Sequence, residues 1–287
     1  MKKLFSFILI LSISAACFGQ DKKLRAGLVT GMTTNWVKIQ TTKIERNGIG
    51  AGFTIGMVAD YKINDNIVFA SGIQFDLESF KLNYGDPANS NLGNVYYGYN
   101  DTEIYKYKSG LISGYTDTTA FQLTTRRFSG KYVTIPLFLK FQTNMIGAFS
   151  YYGKFGVRPS ILAGVRFEDK GYDARYYTSA DGASSTFETV SGATEITNSN
   201  MKPDIFKKGL SLARLGIGVY GGTQWNFTGN TFLFAEFGFI YGVTPIVYQK
   251  SEHLVDKIED GAGFRYENLD VKSNPQHMFE LKVGLLF

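Results

Sequence analysis

Apolar residues recur at every second position over long stretches of this chain. Between residues 49 and 62 one parity reads Ile49, Ala51, Phe53, Ile55, Met57, Ala59 and Tyr61. The other reads Gly50, Gly52, Thr54, Gly56, Val58, Asp60 and Lys62. A period of two marks a β-strand with one apolar face. The split returns in Phe149, Tyr151, Phe155, Val157, Ile161, Ala163, Val165 and Phe167 against Lys154, Gly156, Arg158, Ser160, Gly164, Arg166 and Glu168. It returns in Val133, Ile135, Leu137, Leu139 and Phe141 against Thr134, Lys140 and Gln142, and in Phe279, Leu281, Val283, Leu285 and Phe287 against Glu280, Lys282 and Gly284. Weaker copies lie at 24–36, 67–84, 210–227 and 231–248. The pattern predicts eight strands, most of them reaching the roughly 9–11 residues with which a tilted strand crosses a bilayer.

Soluble antiparallel sheets alternate as well, so the connections have to decide. They alternate in length: 37–48, a tight turn at 63–66, a long segment at 85–130, a short turn at 143–146, long again at 169–209, a turn at 228–230, and long at 249–275. Short turns at one end and long loops at the other fit an all-β, eight-stranded antiparallel up-and-down transmembrane β-barrel with short periplasmic turns and long extracellular loops. If the first strand ascends, outward Tyr61, Phe141, Tyr151, Trp225 and Phe287 fall at the periplasmic rim. Trp36, Phe167, Tyr241 and Phe279 fall at the opposite rim. Two aromatic girdles about an aliphatic belt are expected of a membrane barrel, whereas a soluble sandwich has no reason to sort aromatics by height.

The inward parity carries Arg25, Asp60, Lys62, Asp76, Glu78, Lys140, Lys154, Arg158, Arg166, Glu168, Arg214, Glu236, Glu280 and Lys282, interleaved with glycines that leave room for long side chains. The interior of an eight-stranded barrel is just wide enough for its own side chains. A plugged lumen of mutually paired charges is therefore expected in preference to a conducting pore.

The N-terminus supports export. Lys2 and Lys3 precede an apolar run from Leu4 to Ile13, followed by Ser14, Ala15 and Ala16, the order of a secretory signal peptide. Residues 1–19 are assigned to the leader and 20–287 to the barrel domain. A lipoprotein leader ending at Cys17 is the alternative. With ordinary cleavage the mature chain holds no cysteine, which suits a bacterial envelope. Taking Lys2 and Lys3 from the 30 basic residues leaves 28 against 25 acidic ones, a balance of +3. That is too small and too scattered to argue for nucleic acid. Two histidines and one cysteine exclude most zinc, iron–sulfur and thiol chemistry, and no cofactor is expected.

Few motifs suggest other chemistry. Gly216-Ile-Gly218-Val-Tyr-Gly221 has the spacing of a dinucleotide fingerprint, but that fingerprint needs a helix after it and a turn follows here. His253 lies beside Ser251 and Glu252 with Asp256 nearby. A single well-placed imidazole can serve as a general base, so a lipid-modifying enzyme is the rival of another class. The loops 85–130 and 169–209 are rich in Tyr, Gly, Ser, Thr and Asn, with Tyr96, Tyr97, Tyr99, Tyr105, Tyr107 and Tyr115 in the first. Such composition suits adaptable protein or glycan recognition; the alternative is that these segments continue the sheet above the membrane.

Lys131-Tyr132-Val133-Thr134-Ile135-Pro136-Leu137 and the alternation after it resemble the proline-bearing strand of PorT-like outer-membrane β-barrel proteins of the Bacteroidetes. Ala26-Gly27-Leu28, the run at 52–56 and the terminal Leu281-Lys282-Val283-Gly284-Leu285-Leu286-Phe287 resemble the same pattern. The resemblance implies an eight-stranded barrel in the outer membrane, partnered by its lipid. It also implies a terminal Phe287 that acts as the signal for the barrel-insertion machinery. The function expected is a non-enzymatic scaffold whose extracellular loops serve binding, adhesion or assembly. An accessory role in protein secretion of the type IX kind is the alternative.

Overall fold

A strand with one greasy and one charged face must hide both, and a sheet with free edges leaves backbone groups unpaired. Closing the sheet on itself removes the edges. The computed structural model describes residues 23–85, 92–108, 111–112, 119–178, 185–202, 209–248, 250–259, 261, 263–272 and 274–287. The expected leader and Tyr115 lie outside them. The ring consists of β1 (Leu24–Val37), β2 (Gly50–Lys62), β3 (Ile67–Asn83), β4 in two segments (Thr119–Thr134 and Leu137–Gln142), β5 (Phe149–Thr178), β6 (Ala213–Thr228), β7 (Thr231–Gly242) and β8 (Gln276–Leu286). Each strand pairs antiparallel with the next, and β8 pairs with β1, so the ring of eight is closed.

Outside the ring, Leu28, Met32, Phe53, Ile55, Ile73, Phe75, Leu137, Phe155, Ile217, Phe237 and Leu281 stand exposed, together with many other large apolar side chains. A soluble protein rarely exposes more than a few hundred Å² of continuous apolar surface; here it runs round the whole barrel. Among the described residues no helix is long and apolar enough to cross a membrane, so the strands are the spanning elements.

Three irregularities shape β4 and β5, one of them a register shift toward the extracellular end of both, where Lys170 faces Thr125 but Gly171 faces Leu123. Pro136 has no N–H to donate, and the ladder lapses at residues 135–136 without losing register. Thr134 faces Gln74 on one side of the gap and Phe138 faces Ala70 on the other. On β5, Leu162 pairs with Tyr132 but Gly164 pairs with Lys131, so Ala163 is an extra residue, a β-bulge. Because side chains alternate with a period of two, one inserted residue exchanges the faces. Ile161 points outward below the bulge, while Val165 and Phe167 are buried above it. Four expectations are corrected here. Val165 and Phe167 are interior rather than outward, so Phe167 is not part of the outer girdle, and Arg166 and Glu168 lie on the outward face rather than in the lumen.

The long connections are also shorter than expected, because β4 begins at Thr119 and β5 continues to Thr178. With β3 they rise past the belt. Val95–Asn100 pairs with β4, Ser185–Thr189 and Ile196–Met201 pair with β5, and a hairpin of Lys250–Glu259 and Phe264–Asp270 joins through Val95 and Tyr96. This extracellular cap has its own core, including Phe80, Leu82, Phe121, Phe128, Phe167 and Leu254. Phe128 stacks on Phe80 at 4.7 Å and meets Phe167 edge-on at 5.0 Å.

Candidate functional site

From the periplasmic mouth upward, the lumen is filled in tiers. Arg25 is half-buried at the mouth, opposite Asp60 in the ladder, with its guanidinium 4.3 Å from the Phe232 ring centre. Above it Lys140 donates to Asp60 at 2.8 Å and lies 4.3 Å from the Tyr152 ring centre. Glu236 accepts from Lys154 at 2.7 Å and from Tyr152 at 3.0 Å. In the central tier Arg158 bridges Asp76 at 2.8 Å and Glu280 at 3.0 Å. Glu280 also pairs with Lys282 at 2.7 Å and accepts from the Tyr220 hydroxyl. Asp76 accepts from Thr54 at 2.7 Å and from Thr134. At the top Arg214 forks onto Glu78 at 2.7 and 2.5 Å, donates to Gln276 at 2.8 Å and stacks 3.8 Å from the Tyr132 ring centre.

Setting Arg25 aside at the mouth, the cations Lys140, Lys154, Arg158, Arg214 and Lys282 balance the anions Asp60, Asp76, Glu78, Glu236 and Glu280 one for one. That balance is what low-dielectric burial demands, since an uncompensated buried ion costs several kcal/mol. A void of about 30 Å³ beside Asp60, Lys140, Lys154 and Glu236 has room for a water or two, not for an ion with its shell. Above Arg214 the cap core begins, with Tyr132 shared between the two.

Inward tyrosines, which the charge pattern alone passes over, complete this network. A Cβ placed on Gly238 would lie 2.0 Å from the Tyr220 ring, and one on Gly222 would lie 2.5 Å from Tyr152. These glycines make room for rings as much as for lysine and arginine chains. The available signal was pairing: Tyr220 faces Gly238 and Tyr152 faces Gly222 across neighbouring strands.

Tyr61, Phe141, Tyr151, Trp225 and Phe287 are exposed at the periplasmic rim. At the other rim Trp36 stacks on Phe239 at 6.1 Å and contacts Phe279 at 5.4 Å, and Tyr241 packs on His277 at 4.6 Å.

Within the cap, Arg126 grips Asp169 with two bonds of 2.7 Å, and Tyr97 donates to the same carboxylate at 2.9 Å. Burial opposes the Arg126 charge, yet the Asp169 carboxylate outweighs it and holds the guanidinium above its ordinary value. Burial, reinforced by Asp169, pushes the Tyr97 phenol well up. The alternation did not reach this pair because 85–130 and 169–209 read as connections, whereas β4 begins at Thr119 and β5 runs to Thr178.

The His253 group lies in the cap hairpin. His253 is buried within the strand Lys250–Glu259, the Ser251 hydroxyl accepts from the backbone N–H of His253 and Leu254, and Asp256 pairs with Lys43 at 2.5 Å. The glycines 216, 218 and 221 lie inside β6. Among the described residues no cluster of His, Cys, Asp and Glu is arranged to hold a metal.

Comparison with known proteins adds the family. The profile of the outer membrane protein beta-barrel domain matches residues 18–248. No curated protein matches the sequence. Similar solved structures include Neisserial surface protein A, 14% identical with a TM-score of 0.36, covering 92% of this chain and 96% of that one. They also include Ail, the attachment invasion locus protein of Yersinia pestis, at 12% and 0.30, covering 92% and 98%. The outer membrane protease OmpT of Escherichia coli stands at 10% and 0.33, covering 93% and 96%. Nothing about ligand or activity follows from likenesses this remote. The matched profile spans most of the chain, and the protein belongs to the outer membrane protein beta-barrel domain family and resides in the bacterial outer membrane.

Proposed function

We propose that this protein is a non-enzymatic outer-membrane scaffold, closed to ions, whose extracellular cap binds a protein or glycan ligand in adhesion or assembly. The observation that carries this reading is the extension of β3, β4 and β5 beyond the lipid belt into a cap with its own hydrophobic core. Spanning a bilayer does not require that extra structure. An ordered platform reduces the entropy lost on binding, and exposed or half-buried Tyr99, Tyr105, Tyr172 and Tyr177 give it amphipathic contact area of the kind recognition surfaces use. Phe287 at the end of the chain is part of the same reading, as the signal for the insertion machinery.

Crosslinking on intact cells tests the reading. Wild-type protein should capture an extracellular partner that a variant with Arg265→Ala and Glu267→Ala on the cap hairpin captures less. Capture of periplasmic proteins alone would contradict it. A PorT-like place in secretion rests on Tyr132, Ile135, Pro136 and Leu137, the residues at the lapse in β4; deleting the gene should then trap cargo in the periplasm. A lipid-modifying activity would require His253→Ala to alter membrane lipid composition, and the buried position of that side chain argues for no change.

A further inference from the structure

The bulge at Ala163 does more than bury Phe167; it turns Arg166 outward. On β5 Arg166 stands opposite Ser129, and Ser129 stands opposite Ser79. Lys131 stands between Leu77 and Gly164. Arg166 thus rises beside the small Ser129 and Lys131 between Gly164 and the Leu77 side chain, and with Lys202 they border a recess of about 620 Å³. Leu77 lines it and Ile161 lies just below it; these are the last large exposed apolar side chains of β3 and β5 in the belt. Lys81, Arg127 and Lys170 are exposed on the same outward face. Among the described residues none of these six cations is paired with a carboxylate. The acidic residues on this outward face are Glu168, opposite Arg127, and Glu45, which pairs with Asn83 at the level of Lys170.

The lumen balances every buried charge, so an uncompensated cluster on one outward face of β3, β4 and β5 stands apart from it. A phosphate bears several strong acceptor oxygens, and Arg and Lys are the side chains that suit them. Cations near a charged membrane surface are worth roughly a factor of five each in binding. The apolar border immediately below favours an anion carried on acyl chains over one free in solution. We propose that this recess binds the phosphate groups of an anionic lipid in the outer leaflet, with Lys131, Arg166 and Lys202 as the phosphate contacts and Leu77 and Ile161 against the chains. The site belongs to the barrel wall and is independent of any ligand of the cap.

The test uses the full-length protein reconstituted in phosphatidylcholine bilayers containing a small fraction of diphosphorylated lipid A, followed by detergent extraction and native mass spectrometry of retained lipid. Wild type should retain lipid A over phosphatidylcholine, and should retain its dephosphorylated form no better than phosphatidylcholine. Combining Lys131→Gln, Arg166→Gln and Lys202→Gln should weaken retention about a hundredfold, and Arg166→Gln alone about fivefold. Lys38→Gln, an exposed cation on the far side of the ring, should leave retention unchanged. Heat-dependent gel mobility of each variant shows that the barrel has folded. Equal retention by the triple variant, equal retention of the dephosphorylated lipid, or complete displacement by millimolar inorganic phosphate would each overturn the proposal.

Discussion

Replacing Arg158 with Met probes the lumen where it is most tightly coupled. The guanidinium is buried and bridges two carboxylates, Asp76 at 2.8 Å and Glu280 at 3.0 Å. Methionine fills much of the same volume but leaves both anions short of a counter-charge. Glu280 keeps Lys282 and Tyr220, and Asp76 keeps the hydroxyls of Thr54 and Thr134, so neither is wholly stranded. Removing one partner of a buried pair costs about 3–5 kcal/mol, and the surviving contacts place this case near the lower end. Replacing a whole pair with neutral groups of similar volume is often neutral or stabilising. Arg158→Met combined with Asp76→Asn leaves four cations against four anions, with Glu280 still held by Lys282, and should therefore recover most of the loss. Urea titration of refolded barrel in lipid vesicles, followed by the gel shift between folded and unfolded forms, measures both. A single-variant loss below about 1 kcal/mol, the range of exposed pairs, would mean that water reaches these charges and that the tightly packed lumen is wrong. A double variant no more stable than the single one would show that the charges themselves are not what is being compensated.

Three further outcomes follow from the geometry. Deleting Ala163 removes only the extra residue, leaving Leu162 opposite Tyr132 and Gly164 opposite Lys131. Phe167 should stay buried and Arg166 exposed, with the cap as protease-resistant and the barrel as heat-modifiable as in the wild type; a protease-sensitive cap would contradict the bulge. Burial pushes the phenols of Tyr84 and Tyr97 above their ordinary range. Their contribution is complete below the unfolded value near 10 and is lost as pH rises beyond it. Hydrogen exchange in the cap should accelerate above that pH, and tyrosinate absorbance appearing in the native protein at the ordinary value without cap opening would contradict this. Planar-bilayer recordings should show no large stable conductance, and a steady open current would refute the plugged lumen.

Much of this architecture was legible because a period of two carries both strand and facing at once. Asp60 and Lys140, or Glu78 and Arg214, were assignable to the interior from parity alone. That same inference failed at Phe167 and Arg166 for a physical reason: one inserted residue reverses parity, and no composition cue marks Ala163 as the extra one. The starts of the long connections were misjudged where the outward positions of β4 and β5 turn polar, as at Arg127, Ser129 and Lys170, since above the membrane a strand no longer needs a greasy outer face. Tyr152 and Tyr220 were invisible as lumen residues because the inward list was drawn from charges. Their recognition needs the register that puts Gly222 and Gly238 opposite them. The salt-bridge partners themselves, such as Arg158 with both Asp76 and Glu280, join strands that are not neighbours in the ring and leave no local pattern.

The central claim is that apolar side chains face acyl chains while ionic ones face one another inside. The protein's single cysteine, Cys17, falls in the expected leader, so the barrel suits cysteine scanning. Spin labels placed one at a time from Phe53 to Tyr61 in vesicle-reconstituted protein, with collision rates against oxygen and an aqueous nickel chelate, measure facing directly. The account predicts alternation with a period of two: Phe53, Ile55, Met57 and Tyr61 accessible to oxygen from the lipid, Thr54 and Asp60 shielded from both reagents. Uniform access to the aqueous reagent along the segment would contradict it.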